Sequence, residues 1–232
     1  MKKKITLVFD LDGTLYDRTY PFRDALREVV ETEIPDYPRE LHVTYEKHSQ
    51  EMFFAHERGE VSLEESRALR IMNTMKEYEI PFDREMAARF QERYQYYQYH
   101  LTLSDEWKEV LTQLKEIGFG LAVLTNGPVK HQMEKLRSMG MERWIPEKNY
   151  MISEAIGCVK PDVRIFRYVE EKLGLVPEDT IVIGDSYESD IEGAARAGWK
   201  TIWYNTDGLT LPGEIVPDHT VLNARALLDV LK

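Results

Sequence analysis

Two carboxylates one residue apart, followed by a glycine and a threonine, carry the first chemistry in this chain: Asp10-Leu11-Asp12-Gly13-Thr14. They end a short apolar run, residues 5–9, whose β-favouring side chains predict a buried strand. Side chains two apart on a strand share a face, so extended backbone here turns both acids to one side. Like charges so placed repel, and they are tolerated best around a cation or a reaction. An isolated Asp-x-Asp-Gly is equally an ordinary solvated strand-to-turn junction. Partners elsewhere in the chain decide between the two.

Candidate partners follow the other apolar runs. Leu121-Ala122-Val123-Leu124 leads into Thr125-Asn126, and residues 180–183 lead into Gly184-Asp185-Ser186, with Asp190 five residues beyond Asp185. Lys160 precedes Pro161. Singly, each has a plain explanation: Thr125 as a helix cap, Lys160 as a solvated loop lysine, Asp185 in a turn, Asp190 as an acid near a helix start. Together they place carboxylates, a hydroxyl and an ammonium at the carboxyl edge of one sheet, where α/β folds bind ligands. Hard oxygen donors of this kind suit Mg2+, which takes only one or two carboxylates and keeps several waters. Thr125 and nearby helix N-terminal amides suit phosphate oxygens, and Lys160 offsets the charge of phosphate and carboxylate alike. The set describes phosphoryl transfer. No serine-histidine or cysteine-histidine pair competes with it.

The elements that must position these residues fall into two blocks. Residues 21–99 show helical periodicity without a convincing strand: an apolar face of Phe22, Leu26, Val29 and Val30, the Pro35-Asp36-Tyr37-Pro38 breaker, then helices over about 39–57, 63–78 and 83–99. Ser62 and Glu65 have the spacing of a capping box. From Ser104 the pattern alternates: a helix over 104–117, a strand at 121–124, a helix after Pro128 that ends before Gly140, and a short strand at 150–152. A helix opening on Pro161 and closing at Gly174, a strand at 180–183, a helix at 187–197, a strand at 200–203 and a last helix at 224–231 complete it. Alternation of this kind predicts an α/β fold, a Rossmann-like parallel-sheet core. Strand one belongs to that core, so the helices read as an inserted all-helical domain at 16–99, with the core at 1–15 and 100–232.

The 232 residues are 43% hydrophobic, enough for a core. With 41 acidic against 30 basic side chains the net charge is −11, which repels nucleic acid and leaves no basic stripe for it. No transmembrane span or signal peptide is expected: the N-terminal lysines precede a run that is too short and ends in aspartates. One cysteine, Cys158, gives neither a disulfide framework nor a Cys-x-x-Cys site. The expected address is cytoplasmic, and nothing in the sequence marks a self-association face.

Asp10-Leu11-Asp12-Gly13-Thr14, Leu124-Thr125-Asn126, Lys160-Pro161 and Gly184-Asp185-Ser186-x3-Asp190 resemble, in order and in context, the four motifs of the haloacid dehalogenase-like (HAD) hydrolases. The helical block is similar to that family's cap domain. The resemblance implies Asp10 as the nucleophile that forms an aspartyl-phosphate, and Asp12 as the acid that protonates the leaving oxygen and then deprotonates water. It implies Mg2+ held by Asp10, the Asp12 backbone carbonyl and Asp185, with Asp190 supporting from behind. Thr125, Asn126 and Lys160 are implied to bind the phosphoryl group. Asp12 favours ester cleavage over dehalogenation, since halide leaves without a proton.

The expected substrate is a small phosphorylated metabolite. Residues 152–161, 184–191 and 198–205 resemble the branch with pyrimidine 5′-nucleotidases, so a nucleoside monophosphate comes first, followed by sugar phosphates and phosphoglycolate. A phosphomutase or a phosphate-sensing binding module are the other readings. The run Tyr94-Gln95-Tyr96-Tyr97-Gln98-Tyr99 either stacks on a base or packs its own helix, and most histidines are expected at the surface.

Overall fold

The computed structural model describes residues 5–30 and 39–231; the Pro35–Pro38 breaker and the N-terminal lysines lie outside the described residues. Two compact units result, one of Met1–Asp17 with Leu101–Lys232, the other of Arg18–His100.

The first unit is built on six parallel strands: β1 (Thr6–Phe9), β2 (Gly120–Thr125), β3 (Tyr150–Ile152), β4 (Thr180–Gly184), β5 (Lys200–Tyr204) and β6 (His219–Val221). Their order is β3-β2-β1-β4-β5-β6, so β1 is central and pairs with β2 on one side and β4 on the other. Leu7, Val8 and Phe9 are fully buried, as a strand covered on both faces requires. Period two then divides them. Leu7 and Phe9 join one apolar layer with Trp107, Leu111 and Leu114, while Val8 joins the opposite layer with Ala122, Val182, Ile165 and Phe166.

The helix α5 of the first layer (Asp105–Ile117) is capped by Ser104, whose hydroxyl accepts from Trp107 N–H at 3.2 Å, and it closes on Gly118 at φ +103°. Helix α6 (Val129–Ser138) follows β2; short α7 (Ser153–Ile156) and then α8 (Val163–Leu173) follow β3. Pro161 does not open α8: Asp162 accepts from Arg164 N–H at 2.9 Å and fixes the start at Val163. The predicted helix at 187–197 is a wide π turn, Tyr187–Glu192, running into α9 (Gly193–Arg196). The last helix, α10, is only Leu227–Val230, and β6 had no signal in the sequence beyond three residues.

The second unit packs α1 (Thr19–Arg27), α2 (Arg39–Glu57), α3 (Leu63–Glu77) and α4 (Arg84–Gln98), the numbering running in chain order. Its core is separate and aromatic. Phe22 lies 4.6 Å from Tyr45 and 5.4 Å from Phe90 between ring centres, with Leu26, Leu41, Ile71 and Met75 filling around them. Ser62 caps α3 by accepting from Glu65 N–H at 3.1 Å, the backbone half of the predicted capping box. The tyrosine run packs its own unit. Tyr94 is buried in the core, Tyr97 hydrogen-bonds Glu28, and Arg93 lies 4.4 Å over Tyr96. His42 and His48 are buried rather than exposed, and His48 bridges Glu51 at 3.0 Å and Glu77 at 2.8 Å. Among the described residues no helix is long and apolar enough to cross a membrane.

Candidate active site

The ends of β1, β2 and β4 are adjacent in the sheet, so the residues that follow them meet at its carboxyl edge. Asp10 continues the ladder, its N–H donating to Ile183 O at 2.8 Å, and the residue is buried, 7% exposed. The chain then turns. Gly13 has φ +91° and donates to Tyr16 O at 3.1 Å. A Cβ at Gly13 would lie 2.3 Å from Asp185 Oδ2, so only glycine lets the two loops approach this closely. Thr14 Oγ1 donates to Asp185 Oδ1 and accepts Asp185 N–H, both at 3.1 Å, which ties the loop after β1 to the loop after β4.

Lys160 is the hub. Its buried Nζ donates to Asp10 Oδ1 at 2.6 Å, Asp190 Oδ1 at 2.6 Å and Leu124 O at 3.0 Å, using all three ammonium hydrogens. Its backbone is clamped by Asn126, whose Oδ1 accepts Lys160 N–H at 2.9 Å and whose Nδ2 donates to Lys160 O at 3.0 Å. The Asn126 side chain therefore positions Lys160. Asp190 lies in the π turn with no exposed surface, and its second oxygen accepts Ser186 N–H at 3.1 Å. Thr125 ends β2, 1% exposed, and does not cap α6, where Val129 N–H is taken by Glu154 at 2.7 Å.

Oxygens of Asp10, Asp185 and Asp190 lie within 4.8 Å of one another. Lys160 brings one positive charge to these three carboxylates. Burial pushes the Asp10 carboxyl up; Lys160 opposes this but is shared with Asp190, and repulsion from Asp190, Asp185 and Asp12 brings the Asp10 pKa to about 8. Burial lowers the Lys160 pKa less than Asp10 and Asp190 raise it, so it stays charged. A carboxylate that resists ionisation beside two others marks a site short of positive charge, and a divalent cation with oxygen ligands fits it.

Asp12 has a different environment. Its Oδ1 accepts from Lys135 Nζ at 2.6 Å and from the Tyr16 hydroxyl, and its Oδ2 accepts from Gln132 Nε2 at 2.7 Å. Burial raises its pKa, but the charge of Lys135 and the hydrogen bonds of Gln132, Lys135 and Tyr16 outweigh that and hold it at about 2. The two neighbouring acids thus have separate lysines, a division the Asp-x-Asp spacing did not disclose. Lys135, Gln132 and Tyr16 carry no motif mark in the sequence, and Thr14 stands there only as the end of the first motif, without a role. The signal for the first two was helical phase: Leu136 and Met139 are buried, and positions 132 and 135 share their face of α6.

The family model for haloacid dehalogenase-like hydrolases matches residues 6–198. YfnB of Bacillus subtilis strain 168, named a HAD-hydrolase, is 29% identical over 233 residues, covering 100% of this chain and 97% of that protein. The orthorhombic crystal form of YfnB, bound to magnesium and reported to reveal interdomain movement, matches with TM-score 0.75 at 28% identity over the full length of both chains. Pyrimidine 5′-nucleotidase PynA of Streptococcus pneumoniae is 35% identical over 144 residues, 60% of this chain and 59% of that protein. A glyceraldehyde 3-phosphate phosphatase of Methanopyrus kandleri is 37% identical over 126 residues, 53% of each. The match thus spans little more than half the length of these last two relatives. The family match runs from β1 past α9 and takes in every loop that builds the site, and the chain belongs to the haloacid dehalogenase-like hydrolases.

Proposed function

We propose that this hydrolase is a Mg2+-dependent phosphatase that cleaves a small phosphomonoester through an aspartyl-phosphate on Asp10. The observation that carries it is the buried Asp10 carboxylate, fixed at the end of the central strand by Lys160 at 2.6 Å, with a separately anchored Asp12 two residues on. An Asp10 oxygen attacks phosphorus, the ester P–O bond breaks, and the departing oxygen takes a proton from Asp12. Asp12 is ionised in the free site and receives that proton from the monoanionic phosphate ester as it binds. Asp12, now ionised, removes a proton from water, whose oxygen attacks phosphorus and releases inorganic phosphate from Asp10. The Thr125 hydroxyl and Lys160, once one ammonium hydrogen leaves its present acceptor, hold phosphoryl oxygens, and Asp190 keeps Lys160 at the site. Asp10, Asp185 and the Asp12 backbone carbonyl would hold Mg2+, which supplies charge neutralisation for the bound phosphate. The protein acts in the cytoplasm in this reading, and the helical unit 18–100 serves as the cap that selects substrate.

Relatives named for nucleotides and for a triose phosphate support a small phosphorylated metabolite as the substrate class. Nucleoside monophosphates are the first compounds to test and sugar phosphates the second. Turnover of p-nitrophenyl phosphate with Mg2+ tests the chemistry. Wild type is expected to turn over, and Asp10→Asn or chelated samples to fall to background. Full activity in Asp10→Asn, or without metal, would overturn the mechanism.

A further inference from the structure

Lysine is almost never fully buried unless something holds it. Lys135 is 4% exposed on α6, a helix that otherwise needs only an apolar face toward the sheet. Its Nζ reaches Asp12 Oδ1 at 2.6 Å and lies 5.9 Å over the Tyr16 ring, whose hydroxyl donates to the same oxygen. One helical turn earlier Gln132, 1% exposed, places the two hydrogens of its Nε2 among Asp12 Oδ2 at 2.7 Å, Thr125 Oγ1 at 2.5 Å and Asn126 O at 3.1 Å. Two polar residues at i and i+3 therefore replace apolar packing and engage both oxygens of one carboxylate.

We propose that Lys135 is a positioning residue that fixes the Asp12 carboxylate for proton transfer, and that Gln132 couples that orientation to the phosphoryl-binding Thr125. The proposal rests on the phosphatase reading above. Neither α6 residue touches the reacting atoms. Each acts through another side chain, Lys135 through Asp12 alone and Gln132 through Asp12 and Thr125 together. Their losses therefore differ in kind. Lys135→Met leaves Asp12 without its main anchor and the phosphoryl contacts intact. Gln132→Met also loosens Thr125.

The two half-reactions separate the effect. Release of p-nitrophenolate needs little protonation, so formation of the aspartyl-phosphate from p-nitrophenyl phosphate proceeds without a well-placed Asp12. Hydrolysis of that intermediate needs Asp12 to take a proton from water in either case. Rapid-quench kinetics with Mg2+ on wild type, Lys135→Met, Lys135→Arg and Gln132→Met tests this, with thermal melts to confirm folding. Lys135→Met is expected to show a burst of one p-nitrophenolate per enzyme, then turnover slower by about a hundredfold at nearly unchanged KM, the scale set by a misplaced catalytic group. Turnover of glycerol phosphate, whose alkoxide must be protonated to leave, is expected to fall further still. Lys135→Arg is expected to recover most of the rate, and Gln132→Met to raise KM as well. Unchanged kcat in folded Lys135→Met, or a fall without a burst, overturns the proposal while wild-type turnover leaves the phosphatase reading intact. Absence of turnover in wild type overturns both.

Discussion

Single residues here do their work by separating like charges. Asp10 and Asp12 differ by two positions, yet one is pushed up to about 8 by burial and neighbouring carboxylates and the other is held at about 2 despite burial, by Lys135, Gln132 and Tyr16. The sign follows for each. Asp10 keeps its proton in the metal-free fold at pH values where the unfolded chain has lost it, so its contribution to stability declines as pH rises from about 4 to about 8. Asp12 contributes stability above its unfolded pKa and loses it as pH falls toward about 2. A cation bound at Asp10 must displace that proton, so Mg2+ affinity is expected to rise with pH up to about 8, with proton release. Calorimetry in buffers of different ionisation enthalpy reads this directly, and pH-independent affinity without proton release would contradict the Asp10 environment. Gly13 gives a sharper test. A Cβ there meets Asp185 Oδ2 at 2.3 Å on a backbone with φ +91°, so Gly13→Ala is expected to displace Asp185 and weaken Mg2+ binding by at least tenfold in the same measurement. Unaltered affinity would mean that the loop yields elsewhere.

At the scale of elements, the sequence was most legible where a single periodicity ran uninterrupted. Helices α2, α3 and α4 end within a residue or so of their predicted limits, because each has a long run of spaced apolar positions and α3 and α4 have side-chain caps, Ser62 and Asp83. The helix near Pro161 starts later than the sequence suggests because proline at N1 is a preference, and the cap at the next residue, Asp162, sets the start at Val163. The π turn at Tyr187–Glu192 reads as α-helix in the sequence because six residues make fewer than two turns, too few to separate the two periods. The candidate site divides in the same way. Asp10, Thr125, Lys160, Asp185 and Asp190 stand out because each lies at a strand end or beside a turn, where sequence marks position. Lys135 and Gln132 lie inside an amphipathic helix, where a polar residue reads as solvated until the helix is phased against the sheet. The separate aromatic core of the helical unit allows a prediction at this scale. Phe22 contacts Tyr45 and Phe90 with no exposed surface, so Phe22→Ala is expected to destabilise by about 3–5 kcal/mol, read by urea unfolding. A loss under about 1 kcal/mol would show that this core repacks around the cavity.

For the whole molecule, charge and architecture converge on one argument. A chain of net charge −11 repels anionic ligands at long range, and its proposed phosphate site adds three clustered carboxylates to that field. Binding a phosphorylated metabolite therefore depends on cations concentrated at the sheet edge, of which Lys160 is one and the proposed Mg2+ another. All the residues assigned to that metal lie in the unit of Met1–Asp17 and Leu101–Lys232, whose apolar core shares no residue with that of Arg18–His100. Metal binding to the folded state alone stabilises by about 2.7 kcal/mol at a hundredfold excess over Kd. At roughly 2–4 °C per kcal/mol for a chain of this size, Mg2+ is expected to raise Tm by roughly 5–10 °C. If the two units melt separately, the rise belongs to the transition of the sheet-containing unit. Asp185→Asn removes one assigned ligand while keeping the side chain's volume, and it is expected to abolish the rise. Differential scanning calorimetry with and without Mg2+ decides the matter: an equal rise in Asp185→Asn and wild type would place the stabilising cation somewhere other than this carboxylate cluster.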